Sequence, residues 1–274
     1  MIPVWLTDTV TSDLGRALHY TQLWGLQGME LRTVGGPEDR VPDVNEPQIR
    51  QQLEASEFLL SSVVPSIFGG PVHDRMMWLN DLARLPELLR FCKRMRCPRF
   101  VTDPFAATPN DDDTALDTAA DALRRAGVQA AEYDVLIGVK NDPTSLCPTG
   151  RDLAVLLALV DHPNVRAAWD PVAALRAGED PAAGLDALSG RVTLVRCSDG
   201  RTERGQWHDT IVGEGDVDWP TQIEMLYEDG FRGPVSMEVY AEPRPKAGLR
   251  SATALIRMLD RLHPGGCRNI NPSP

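Results

Sequence analysis

Two cations and two carboxylates stand in or just after four apolar, β-rich runs of the second half of the chain. Lys140 follows Val135–Val139, Asp170 follows Val165–Trp169, Arg196 lies in Val192–Cys197, and Glu238 lies in Pro234–Val239. Side chains that converge from strand ends can do proton chemistry: a fixed cation holds an oxyanion while a carboxylate moves the proton on the adjacent carbon. Lys140 or Arg196 would supply the charge and Glu238 or Asp170 the base, which suffices for isomerisation, epimerisation or dehydration beside a carbonyl. Two other readings use the same residues. Lys140 as a Schiff-base nucleophile needs a free amine near neutral pH, yet burial and Arg196 would lower its pKa while Asp170 and Glu238 would raise it. Alternatively the four charges cancel in a salt-bridge network, leaving a binding or scaffold protein without catalysis.

Something must bring those four positions together. Apolar runs recur along the whole chain at Pro3–Leu6, Gly28–Leu31, Phe58–Ile67, Arg99–Thr102, Val135–Val139, Val165–Trp169, Val192–Cys197 and Pro234–Val239, with helical stretches between them. The 3.6 period of those stretches is plain in Leu153, Leu156, Leu157 and Val160, and again in Ile223, Leu226 and Tyr227. Asp13 and Thr149 suit N-caps, and Gly127 and Gly230 suit helix stops. Eight strands alternating with helices predict an α/β fold, a single (β/α)8 barrel. An open doubly wound sheet would carry a Gly-rich turn after its first strand, and Thr7–Asp13 holds no glycine.

The fragments in order resemble the xylose isomerase-like TIM barrels, the family of sugar and sugar-phosphate isomerases and epimerases that also includes endonuclease IV. Leu23–Arg32 (LWGLQGMELR) resembles the second strand, where Gly-x-x-Gly-hydrophobic-Glu brings a carboxylate to the mouth. EPQIRQQLEASEFLLSSVVPSIF resembles a helix and the third strand. IGVKNDPTSLCPTGRDLAVLLALVDHPNVRAAWDP resembles the fifth and sixth βα units, and Gly213–Trp219 with Gly233–Glu238 the seventh loop and closing strand. The resemblance implies a divalent cation held by Glu, Asp, His and Glu from successive late strands. Here the matching positions read Lys140, Asp170, Arg196 and Glu238, and the usual His-x-x-Asp reads Arg196-Cys197-Ser198-Asp199.

The usual ligand set presents a cluster of negative charge that is tolerable only around a cation. With two ligands replaced by cations, no metal is expected at this position, and the metal-dependent proton shuttle should fail with it. If the altered site still bound an ion, manganese or magnesium would be the expected type. A sugar-phosphate isomerase/epimerase-like protein acting on a small hydroxy-carbonyl compound without a metal is therefore the leading expectation, and a non-catalytic, ligand-binding relative the alternative.

Further candidates surround the same mouth. Glu30 and Arg32 are two residues apart on one strand, so they share a face and could bind substrate or pair with each other. His73, in the loop opened by Gly69, Gly70 and Pro71, could meet a phosphate or hydroxyl or be an ordinary surface residue. Asp103 ends the fourth strand, and His208 lies in the loop after the seventh. Trp169 and Trp207 could line a pocket for the apolar face of a sugar. His19 and His162 belong with outer helices, and Asp216 and Asp218 with a helix start.

The chain of 274 residues suits one barrel spanning 1–262, with 263–274 as a tail too polar to pack. Five cysteines (Cys92, Cys97, Cys147, Cys197 and Cys267) form no CxxC pair, so a disulfide framework is not expected. A formal charge of −11 opposes a nucleic-acid role, since affinity for a phosphate backbone comes from neutralising it; nuclease activity would also need His and carboxylate ligands that are not found. No apolar run approaches the roughly 18 residues of a membrane span, and the start lacks a signal-peptide pattern. A cytoplasmic protein with a small-molecule substrate, no nucleic-acid partner and no membrane partner is expected; the resemblance also admits a homodimer.

Overall fold

A computed structural model describes residues 1–36 and 38–262; the predicted tail at 263–274, with Cys267, lies outside the described residues. Its strands are β1 (Ile2–Trp5), β2 (Gly28–Leu31), β3 (Leu59–Val63), β4 (Arg99–Thr102), β5 (Leu136–Lys140), β6 (Val165–Trp169), β7 (Val192–Cys197), β8 (Asp199–Glu203), β9 (Gln206–Thr210) and β10 (Pro234–Met237). The helices are α1 (Leu14–Leu23), α2 (Glu46–Ser56), α3 (Arg75–Arg94), α4 (Ala115–Ala131), α5 (Gly150–Val160), α6 (Pro171–Arg176), α7 (Pro181–Ala187), α8 (Trp219–Glu228) and α9 (Arg244–Leu262).

Eight strands form one parallel sheet in the order β1-β10-β7-β6-β5-β4-β3-β2, and a parallel bridge between Leu6 and Glu30 brings β1 back to β2. This is a (β/α)8 barrel. All eight runs read from the sequence became strands, because each is apolar and bounded by turn residues. Phe58–Ile67 shortens to β3 because Pro65 cannot donate to a ladder.

The helix starts follow local chemistry. Asp13 accepts from Arg16 N at 2.7 Å, and Thr149 forms a capping box with Asp152. Gly230, just past α8, has φ +80°, as a helix stop demands. Gly127 is different: it lies inside α4, where a Cβ would sit 2.7 Å from His162 Nδ1 and 2.9 Å from Val165 Cγ2. It serves a close approach between layers rather than a stop.

A similar constraint joins α5 to α7. A Cβ on Gly150 would lie 2.5 Å from the Gly184 carbonyl oxygen and 2.7 Å from its Cα. Backbone cannot step aside as a side chain can. Gly150→Ala is expected to lower the unfolding free energy by about 1–3 kcal/mol through overpacking, as measured by urea denaturation.

One feature escaped the sequence reading. The stretch after β7 is an antiparallel hairpin, β8 paired with β9, turned at Arg204 (φ 51°) and Gly205 (φ 79°). Two central residues at positive φ suit the twist of a two-residue hairpin. Among the described residues, no helix is long and apolar enough to cross a membrane.

Candidate active site at the barrel mouth

The barrel interior is lined with small residues near its centre. Val101, Ala168 and Leu194 cluster there, and Gly138 faces Ala168 and Val101. Arg196 follows Leu194 by two residues and so shares its side of β7. Its register partner on β10 is Ser236, and the small neighbour leaves room for a guanidinium.

Arg196 is buried, with 2% of its side chain exposed, and its Nη1 lies 2.6 Å from Oε1 of Glu30, which is fully buried, and 3.4 Å from Glu238 Oε1. Glu30 Oε2 accepts from the Ser62 hydroxyl at 2.9 Å, and Glu238 Oε2 accepts from the Tyr240 hydroxyl at 2.9 Å. Arg196 Nε and Nη1 nevertheless lack an aligned hydrogen-bond acceptor, so the pairing is chiefly coulombic. Burial alone would pull the Arg196 pKa down, but Glu30 and then Glu238 outweigh it and hold the pKa above its ordinary value. The tyrosine is shifted too: burial first, then the Glu238 charge, push the Tyr240 pKa up.

Lys140 belongs to a second group. It ends β5, keeps 23% of its side chain exposed, and places Nζ 3.2 Å from Asp142 Oδ2 and 3.9 Å from Asp103 Oδ1. Burial pulls its pKa down, yet Asp170, Glu238, Asp103 and Asp142 together win and raise it. The raised pKa favours the ammonium form, the opposite of the free amine that a Schiff base requires.

Asp170 sits just beyond β6. Its Oδ1 caps α6 by accepting from Ala173 N at 3.0 Å. Asn141 grips its backbone from both sides, accepting from Asp170 N and donating to Asp170 O, each at 2.9 Å. Burial pushes the carboxyl up to about 6, against the pull of Lys140 and with a further push from Glu238.

Several expectations change. The four charges do not balance among themselves, because Glu30 takes Arg196 and the carboxylates of Asp103 and Asp142 join Lys140; the mouth is net negative. Arg32 does not pair with Glu30 but with Asp8, at 2.8 Å. Trp169 is fully buried and donates to Gln222 Oε1 at 2.8 Å, with its ring against Gly184. It therefore faces the helix layer, not the mouth, since neighbouring residues of a strand point to opposite sides. His73 lies 3.6 Å from Asp111 and is half exposed, on the side of α3 and α4. His208 is exposed on β9 opposite Arg201, and Trp207 lies on the same strand with Arg176 5.8 Å from its ring centroid.

The Gly213–Trp219 loop is structural. Asp199 accepts from the backbone N–H groups of Gly200, Gly213, Gly215 and Val217, and Asp218 caps α8 through Thr221 N at 3.2 Å. Asp216 instead accepts from Thr202 N at 2.9 Å, tying the loop to the hairpin. The residues missed in sequence are Tyr240, Ser62, Asp8, Asn141 and Asp142. Tyr240 and Asp142 had a local signal, since each follows a candidate, Glu238 or Lys140, by two residues.

A divalent cation does not suit the positions that the resemblance assigns to it. Asp170 and Glu238 remain as donors, but one oxygen of Asp170 is spent on α6 and both oxygens of Glu238 are engaged by Arg196 and Tyr240. The other two positions carry positive charge. Among the described residues, no group of three His, Cys, Asp or Glu side chains is placed to hold an ion.

A parallel eight-stranded barrel with charged residues gathered at its C-terminal mouth defines an α/β barrel whose candidate site lies on the face that such barrels use. The chain belongs to the xylose isomerase-like TIM barrel family, whose model matches residues 18–260. No curated protein matches it in sequence. Among solved structures it is similar to an L-ribulose 3-epimerase (TM-score 0.80, 11% identity, 98% of this chain and 99% of that one covered). It is also similar to the IolI protein with a bound zinc atom (0.80, 17%, 95% and 99%). A D-allulose 3-epimerase from Methylomonas sp. in complex with D-allulose is a third such structure (0.75, 14%, 94% and 96%). At these identities the likeness is one of fold.

Proposed function

We propose that the protein is an isomerase or epimerase that moves a proton beside the carbonyl of a small sugar- or polyol-like hydroxy-carbonyl compound, without a divalent cation. The observation that carries this reading is that one mouth holds a partly exposed Lys140, kept an ammonium by the carboxylates around it, and a buried Asp170 whose carboxyl is pushed up to about 6. A base works best when its pKa lies close to the operating pH, and a fixed ammonium can hold the oxyanion that forms as the proton leaves carbon. Asp170 is the group assigned to take the proton. Lys140 is assigned to the enediolate oxygen, because Arg196 is already committed to Glu30. The sugar epimerases among the structural neighbours support the same substrate class.

The test is solvent exchange. Incubation with L-ribulose, D-allulose and related ketoses in deuterium oxide should put deuterium on the carbon beside the carbonyl, as read by proton NMR. Exchange lost in Asp170→Asn supports the reading; no exchange with any ketose counts against it. The buried Arg196–Glu30 pair favours a second reading, in which the mouth is held by ion pairs and the protein only binds its ligand. That protein would bind a ketose without exchanging its proton.

The metal-free part has its own check. Purified protein is expected to melt at the same temperature with chelator and with added manganese, with no stoichiometric metal by elemental analysis. A ligand that binds the folded state at a hundred times its Kd would add about 2.7 kcal/mol, so a bound metal would be visible as a fall in melting temperature on chelation.

A further inference from the structure

Three arginines line one cleft on the floor of the barrel, at the opposite end of the strands from the mouth. Arg99 begins β4, Arg166 is the second residue of β6, and Arg232 lies two residues before β10. Together with Gly190, Gly230 and Gly233 they line a cleft of about 260 Å³. A water in the liquid takes about 30 Å³, so the space holds a tetrahedral oxyanion.

The charge balance of this cleft is unlike that of the rest of the chain. On a protein of formal charge −11, its lining has a single acidic side chain, Asp229. Both oxygens of that residue are taken, one by the Ser189 hydroxyl at 2.5 Å and the other by Gly190 N at 2.7 Å. The arginines bond to neutral carbonyls: Arg99 Nη1 to Ser61 O at 2.9 Å, Arg166 Nη2 to Gly190 O, and Arg232 Nη1 to Phe231 O at 2.8 Å and Tyr227 O at 3.0 Å. Among the described residues none of the three has a carboxylate in an ion pair, and Arg99 Nε is buried with no partner at all. Gathering like charges in a cleft costs energy that an anion would recover, and planar guanidinium forks match the oxygens of phosphate.

We propose that this floor cleft is a binding site for a compact oxyanion, a phosphate group free or carried on a small metabolite, separate from the mouth. Arg166 on β6 and Asp170 just beyond its end are four residues apart, roughly 13 Å at the usual strand rise, so an anion on the floor is not the reacting group. It acts as a second ligand.

The test is calorimetric titration with inorganic phosphate and with glycerol phosphate, at ionic strength held constant with chloride. The wild-type protein is expected to bind one equivalent of at least one of them. Binding of inorganic phosphate marks recognition of the free ion, and binding of glycerol phosphate alone marks a metabolite ester. In Arg166→Gln/Arg232→Gln the affinity should fall about tenfold or more, the loss expected for charge-assisted hydrogen bonds. Lys140→Met, a change at the mouth, should bind as the wild type does. No binding of either anion, equal binding by the double variant, or loss of binding in Lys140→Met would overturn the proposal. If the double variant fails to fold, Arg232→Gln, at an exposed position, serves in its place.

Discussion

Arg196→Met is expected to lower the unfolding free energy by about 3–5 kcal/mol, because it strands the carboxylate of Glu30 without a counter-charge in the barrel interior. Glu30 is fully buried, its Oε1 has Nη1 of Arg196 at 2.6 Å, and its other oxygen has only the Ser62 hydroxyl. The same principle predicts a rescue. Glu30→Gln/Arg196→Met removes both charges and should recover most of the loss, since replacing a buried ion pair by neutral residues is often neutral or better. Urea denaturation of wild type, both single variants and the double variant closes the cycle. A cost below about 1 kcal/mol for Arg196→Met, the value of an exposed pair, would mean that Glu30 is not held by Arg196. The cycle also bears on function: it measures how firmly Arg196 is committed to the fold and withheld from a substrate.

Asp170→Asn is expected to lower the rate of proton exchange by about 10²–10⁴-fold while leaving the fold intact. Asparagine can still cap α6, because its side-chain oxygen accepts as the carboxylate does. The pH dependence follows from the carboxyl held up at about 6 by burial. As a base it must be ionised, so exchange should rise as pH climbs through about 6 and level off above. Stability runs the other way. A carboxyl whose pKa is raised on folding contributes stability below its unfolded pKa of about 3.9, and that contribution is lost as pH rises through about 6. Activity and this part of stability therefore trade across the same window. An exchange rate that is flat from pH 5 to 8, or an Asp170→Asn variant that exchanges at the wild-type rate, would remove Asp170 from the reaction.

The mouth thus divides its charges between two tasks. Arg196, Glu30, Ser62, Glu238 and Tyr240 interlock within the barrel top, and every member of that group but Tyr240 is largely withdrawn from solvent. Lys140, Asp103 and Asp142 remain partly open, with Asp170 beside them as the carboxylate that acts most strongly on the lysine. In the proposed reaction the first group fixes the floor of the mouth in place of a metal, and the second does the chemistry. The carboxylate excess around Lys140 keeps it an ammonium.

The sequence by itself determined the eight strands and their alternation with helices, the caps at Asp13, Thr149 and Asp218, and the arrival of Lys140, Asp170, Arg196 and Glu238 at one end of the barrel. These are local properties, written in apolar periodicity, turn residues and the side-chain alternation of a strand. The same alternation could have turned Trp169 away from the mouth, since Asp170 is its neighbour, and Arg204-Gly205 could have signalled the β8–β9 hairpin. Tertiary structure alone decided that Arg196 belongs to Glu30, that Asp8 takes Arg32, and that Asp170, Glu238 and Asp103 gather around Lys140 and hold it charged. Only closure of the barrel brings such residues, distant in the chain, within a few ångströms of one another. Coulomb energy depends on that separation and on the water excluded between the charges, and neither quantity is written in any local stretch of residues.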